Sequence, residues 1–192
     1  HAHLVGLGRS RSMLDLKNLA RETIIQLVTQ QALLQPKDMW IKGRGWDQNL
    51  WPEQQFPHKD MLASIEHPVY LTRVDGHAIW VNEAALQRAG ITDDTTDPVG
   101  GQIYRDEHGK ATGIFIDTAM ELISKHMASP SKEELEHFLT LGMEEAVSLG
   151  ITSFHDAGAS AQMLDLFQEY ARNNKLLLRI YAMIDGDNDG LV

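Results

Sequence analysis

Two rhythms of apolar residues run along this chain. Leu16, Leu19, Ala20, Thr23, Ile24, Leu27 and Val28 recur at three- and four-residue intervals, the repeat of one helical face. They predict a helix that starts near Leu14 or Asp15 and is closed by Pro36. Leu135, Phe138, Leu139, Gly142, Ala146 and Leu149 form a second stripe. Ser131-Lys132-Glu133-Glu134 opens it as a capping box, and Gly150 stops it. A third helix is expected over 161–173, with Leu164, Phe167 and Ala171 facing inward. Shorter helices are expected over 59–65, over 117–125, and from the N-cap Asn82 to Ala89.

Short runs of β-branched and aromatic residues predict strands at 39–46, 69–73, 151–156 and 176–184. The polar run Arg105-Asp106-Glu107-His108-Gly109-Lys110, between 101–104 and 111–114, reads as a hairpin turn after a loop over 92–99. Leu4-Val5-Gly6-Leu7-Gly8 reads as a glycine-containing loop. Strands alternating with helices argue for βα units on a parallel sheet, an α/β fold.

Composition narrows the function. The chain has 192 residues, 43% of them hydrophobic, enough for one sizeable core. A net charge of -10 argues against a nucleic-acid binder, which needs a basic patch, and against a polybasic membrane-surface protein. No run approaches the ~18 apolar residues of a membrane span. The absence of cysteine excludes disulfides, thiolate ligands and a thiol nucleophile. The compartment stays open, with the cytoplasm favoured. There is no Gly-x-Ser-x-Gly elbow, and Gly6 and Gly8 lack the third glycine of a dinucleotide fingerprint.

Candidate chemistry starts at His1-Ala2-His3. On a strand, positions i and i+2 share a face, so both imidazoles can reach one ion, and imidazole suits zinc. Asp75-Gly76-His77 follows an expected strand, where an aspartate and a histidine can bind a substrate's polar groups or simply cap the turn. Trp46 and Trp51 bracket a polar loop that either binds ligand or is packed down by its own aromatics. His155 and Asp156 close another strand; as neighbours they point to opposite faces, so they are candidates for a supporting shell around a metal. Asp185-Gly186-Asp187-Asn188-Asp189-Gly190 is similar to the start of a calcium loop but lacks the later glutamate and the flanking helices.

Five stretches in order resemble the amidohydrolase superfamily, in its branch of metal-dependent hydrolases that includes N-substituted formamide deformylase. They are His1-Ala2-His3-Leu4 with Gly6-Leu7-Gly8; Gly43-Arg44-Gly45-Trp46-Asp47 with Trp51-Pro52; Pro68-Val69-Tyr70-Leu71 with Asp75-Gly76-His77 and Asn82; Thr112-Gly113-Ile114; and Gly150-Ile151-Thr152-Ser153 with His155-Asp156-Ala157-Gly158. The resemblance implies a (β/α)8 barrel with a smaller β-rich domain. It implies one or two divalent ions, zinc above all, with His1 and His3 among the ligands. Further ligands and a proton-transferring aspartate would come from later strands. The implied reaction is hydrolysis of a C–N bond in a small amide-like substrate, with Trp46, Asp75 and His77 lining the substrate side.

A full barrel takes about 250 residues. The expectation is therefore a partial barrel over 1–192, carrying a loop and hairpin insertion at 93–114. Such a piece should associate with itself or with the remainder of a barrel, and should be inactive alone. The rival readings are a non-catalytic α/β domain that binds a small ligand or a partner, and a metallophosphoesterase. The latter would need more carboxylates at strand ends than the chain offers.

Overall fold

A computed structural model describes residues 2–185. The elements in chain order are α1 (Leu4–Arg11), β1 (Leu14–Asp15), α2 (Arg21–Leu34), β2 (Ile41–Trp46), β3 (Val69–Arg73), β4 (Ala78–Val81), α3 (Glu83–Ala89), β5 (Gly101–Arg105), β6 (Ala111–Asp117), α4 (Glu121–Ser124), α5 (Lys132–Ser148), β7 (Ser153–Ala159), α6 (Ala161–Arg172) and β8 (Arg179–Ile184). They form two units: one of His1–Ser12 with Pro130–Val192, the other of Met13–Ser129. In sequence the second unit interrupts the first between α1 and α5.

The first unit is a parallel βα layer. β7 pairs β8 in parallel, and Ala2 joins the other edge of β7 through a parallel bridge to Asp156. One sheet face is covered by helices, and its core contains Leu4, Leu139, Met143, Phe154, Leu166 and Phe167, with Ile180 and Ala182 packed against them. Ser153, His155, Arg179, Tyr181 and Met183 lie exposed on alternate positions of the same strands. α5 begins with the expected capping box, Ser131 accepting from the Glu134 N–H and Glu134 from the Ser131 N–H.

The stretch Leu4–Gly8, expected as a loop, is the first half of α1. Gly8 serves a close helix crossing rather than a turn: a β-carbon on it would stand 1.6 Å from the Phe138 carbonyl oxygen. Glycine's low helix propensity hides this from a local reading.

The second unit is built on a six-stranded mixed sheet in the order β1-β2-β3-β4-β6-β5. β1, β2 and β3 are parallel; β4, β6 and β5 follow antiparallel. The expectation of a parallel sheet therefore holds for the first unit and for β1–β3, and fails for β4, β6 and β5. The helix expected from Leu14 begins at Arg21, because Leu14 and Asp15 pair with Gly43 and Arg44 as a strand. The hairpin at 101–105 and 111–117 forms as expected, and Asn82 caps α3 by accepting from the Ala85 N–H. The expected helix over 117–125 is shorter: a 3-10 turn at Thr118–Met120 leads into α4. The expected helix over 59–65 is likewise a single 3-10 turn, Lys59–Leu62.

β2 carries a bulge between Arg44 and Trp46. Gly45 sits there at φ +115°, with Lys17 so close that a β-carbon would stand 2.6 Å from its Cγ. The bulge breaks the alternation and turns Trp46 into the core. No helix among the described residues is long and apolar enough to cross a membrane.

Candidate functional site

Metal chemistry depends on where the His-x-His motif lies. His1 lies outside the described residues, as do Asp187 and Asp189 of the calcium-like run. His3 is described: it follows the bridged residue Ala2 and is the N-cap of α1, with extended backbone at φ -132°, ψ 102°. His3 therefore stands at the C-terminal end of this parallel pairing, where the chain passes into α1. In βα folds, that edge gathers functional side chains. Ala2 packs against the helix-side cluster while His3 is exposed, so alternation puts His3 on the open face of the sheet.

β7 divides its two candidates between the faces. His155 is exposed on the open side, its ring 5.3 Å from that of Tyr181 on β8. Asp156 has no exposed surface and belongs to the helix-covered side. Its Oδ2 accepts from the Leu4 N–H at 2.7 Å. Its Oδ1 is buried without a hydrogen-bond partner among the described residues. That orphaned oxygen marks a polar demand directly beside the His-x-His turn.

The described residues do not enclose an ion by themselves: no three His, Asp or Glu side chains among them gather for that. The donor types nonetheless fit a partial site, because His3 would offer an imidazole nitrogen beside the paired Ala2 and the sequence has a second imidazole two positions before it.

The substrate-side candidates all lie in the second unit. Trp46 is fully buried, stacked on Trp51 with ring centres 6.1 Å apart, and its Nε1–H donates to the Leu71 carbonyl at 2.8 Å. Trp51 in turn donates to the Leu19 carbonyl at 3.1 Å. A side chain without exposed surface has none to offer a substrate, so Trp46 packs the core.

Asp75-Gly76-His77 follows the C-terminal end of β3, a strand parallel to β2, but it forms a hairpin turn into the antiparallel β4 rather than a passage into a helix. The run of residues reads the same either way; only the direction of β4 distinguishes the two. Asp75 accepts from the His77 N–H at 3.0 Å through Oδ1, and its Oδ2 pairs with Arg73. Both oxygens are thus committed to the hairpin. Arg73 is held from its other side by Gln48 at 2.9 Å and faces Asp47 at 3.7 Å. His77 is exposed, and its Nδ1 lies 2.7 Å from Oδ1 of Asp117. The Asp117 N–H donates to the His77 carbonyl at 3.0 Å, so the two residues hold each other twice.

Sequence reasoning missed Asp117. The signal for it is conformational: Asp117 sits at φ +50°, ψ -126°, a region that side chains rarely occupy and that costs of order 1–3 kcal/mol. No local sequence pattern announces that.

A family model described as "Amidohydrolase family" matches residues 1–190. The chain is 36% identical over 163 residues to the putative amidohydrolase YtcJ of Bacillus subtilis (strain 168), covering 83% of this chain and 31% of that protein. It is 32% identical over 161 residues to the protein LONG AFTER FAR-RED 3 of Arabidopsis thaliana, with 82% and 27% covered. It is 25% identical over 175 residues to the N-substituted formamide deformylase of Arthrobacter pascens, with 87% and 32% covered. The chain thus spans about a third of the length of these relatives. Its fold is similar to that of an uncharacterized metal-dependent hydrolase from Pyrococcus horikoshii OT3, with a TM-score of 0.68 and 24% identity over 96% of this chain and 35% of that one. A match across nearly the whole sequence, with the α/β fold to go with it, makes this chain a member of the amidohydrolase family, spanning part of such a protein.

Proposed function

We propose that this chain forms the first part of a metal-dependent hydrolase barrel that cleaves C–N bonds of small amide-like substrates. The observation that carries the reading is the position of His3. The parallel bridge from Ala2 to Asp156, and the Ala157 N–H donating to the Ala2 carbonyl at 3.0 Å, support it, because His3 follows directly on the paired residue where the chain turns into α1. His1 and His3 would hold a divalent ion there, zinc being one that suits imidazole. When bound, such an ion supplies Lewis acidity, acidifying water and polarising a carbonyl.

The chain's own residues bind and orient. His155 and Tyr181 line the open face, His155 two residues before the register position of His3. In the second unit, taken by itself, His77 is the residue offered to a substrate: with Nδ1 engaged by Asp117, Nε2 is the nitrogen left for a ligand. Asp75, by capping the turn, holds His77 in place. The remaining donors and the proton-transferring aspartate belong to the portion of a relative that this chain does not span. The 192-residue chain alone is accordingly expected to show negligible hydrolysis.

Zinc content per chain, compared between the wild type and a His1→Ala/His3→Ala double variant, tests the reading. Zinc retained by the wild type and lost by the variant supports it. Equal content in both would favour a non-catalytic α/β domain that binds a small ligand or a partner. Robust zinc-dependent amide hydrolysis by the isolated chain would overturn the claim that it is incomplete.

A further inference from the structure

Resting on the reading that His1 and His3 hold the metal, we infer that Asp156 is a positioning residue for His3. Two bonds from consecutive residues of β7 grip the chain on either side of that histidine. Before it, the Ala2 carbonyl accepts from the Ala157 N–H at 3.0 Å, within the bridge between Ala2 and Asp156. After it, the Leu4 N–H donates to the Asp156 carboxyl at 2.7 Å. Leu4 itself has no exposed surface, so its backbone is held by packing as well.

The second bond replaces a cap that α1 does not provide for itself. His3 stands at the N-cap, yet its side chain makes no capping hydrogen bond, and the first turn of α1 contains no acidic residue. Orphan N–H groups at a helix start need an acceptor, normally the N-cap side chain. Asp156 supplies one from the neighbouring strand. The division of labour leaves the His3 imidazole unneeded for capping, while its backbone is fixed at the strand-to-helix turn.

Stability alone gives a poor account of this carboxyl group. Asp156 is the only buried acidic side chain among the described residues. Burying a carboxyl group is costly, and one of its oxygens has no partner among the described residues. Residues that orient metal ligands without touching the metal act through such hydrogen bonds. Alternation places Asp156 on the helix side of the sheet, so it acts through the His3 backbone rather than as a ligand.

The test uses the 192-residue chain and two readouts: zinc affinity by titration, and the ring-proton NMR signals of His3 in the metal-free protein. Asp156→Ala is expected to weaken zinc binding about 10–100-fold, the usual effect of losing an outer-shell partner, and to shift the His3 ring signals. Leu166→Ala, a core truncation on α6, serves as the control for general loosening and should do neither. If Asp156→Ala does not fold, Asp156→Asn keeps the shape and a weaker acceptor, and should move both readouts in the same direction by a smaller factor.

An Asp156 variant indistinguishable from wild type, or a Leu166→Ala variant that changes both readouts as much, overturns the inference. Should the wild type bind no zinc, or His3→Ala bind it as tightly, the metal reading itself fails. The metal-free His3 signals then still decide whether Asp156 positions that residue.

Discussion

Gly8 and Gly142 meet where α1 crosses α5. A β-carbon on Gly8 would lie 1.6 Å from the Phe138 carbonyl oxygen and 2.8 Å from the Gly142 nitrogen; one on Gly142 would lie 2.2 Å from the Leu4 carbonyl oxygen. The obstacles are backbone atoms, which cannot rotate aside. Gly8→Ala should therefore cost about 3 kcal/mol or more, at the upper end of overpacking effects. Gly150→Ala meets open space but keeps φ at +79°, so strain alone should cost it about 1 kcal/mol. Denaturant unfolding of the two variants measures the contrast.

Trp46 distinguishes packing from ligand binding. Trp46→Ala should lose about 3–5 kcal/mol from the cavity alone. Trp46→Phe retains most of the packing on Trp51 but strands the Leu71 carbonyl, and should cost about 1–3 kcal/mol. A Trp46→Ala variant as stable as wild type in thermal unfolding would return the residue to the list of ligand-facing candidates.

Asn82 saturates its side chain. Its Oδ1 accepts from the N–H groups of Val69 and Ala85 at 3.0 and 3.1 Å, and its Nδ2 donates to the carbonyls of Ile65 and His67 at 2.8 and 2.9 Å. The residue is 1% exposed. Aspartate has the same shape but no donor, so Asn82→Asp would face two carbonyls with a carboxyl group. Both Asn82→Asp and Asn82→Ala should lose about 2–4 kcal/mol, because buried partners are left unpaired. Calorimetric melting should rank Asn82→Asp as no more stable than Asn82→Ala, although only alanine leaves a cavity.

Asp117 carries strain that glycine would relieve. Asp117→Gly and Asp117→Ala both delete the bond to His77, but only glycine is at ease at φ +50°. The glycine variant should be about 1–2 kcal/mol more stable than the alanine variant, the order of the penalty for such a conformation. Equal stabilities by denaturant titration would show that the turn carries no strain.

The pair Lys132–Glu169 joins α5 to α6 at 2.8 Å and gives the first unit a pH signature. The hydrogen bond and then the charge of Lys132 hold the Glu169 carboxyl below its ordinary range. The same bond and charge, seen from the other side, raise Lys132. A lowered carboxyl stabilises the fold above its unfolded-state value, and that contribution is lost as pH falls through the lowered value. A raised lysine stabilises below its ordinary value and loses that contribution as pH rises through the raised one. Glu169→Gln should therefore flatten the acid-side decline of the melting temperature, below the ordinary glutamate range, and added salt should shrink the difference. An acid limb identical to wild type would remove this pair from the pH dependence.

Local patterns determined much of this protein. The Ser131–Glu134 box, the Asn82 cap, the stripe along α5 as far as Ala146 and the β5–β6 hairpin each depend on neighbours a few residues apart, and each appears where the sequence placed it; Leu149, the expected end of the stripe, is instead exposed. The ordered motifs were likewise enough to point to the amidohydrolase family, because a family signature is a property of the string itself. Long-range contacts decided the rest. Leu4–Gly8 is helix because α5 presses against it, and glycines that weaken a local helix signal are what let the two backbones approach. Leu14 and Asp15 are strand because Gly43 and Arg44 lie beside them. Asp75-Gly76-His77 is a hairpin turn because β4 runs antiparallel, a direction no residue in the triplet encodes. Asp156 meets Leu4 across a separation of 152 residues, and Asp117 meets His77 across 40. Residue types and spacing single out His3 as a candidate metal ligand, but only the pairing of Ala2 with β7 reveals what holds that histidine's backbone.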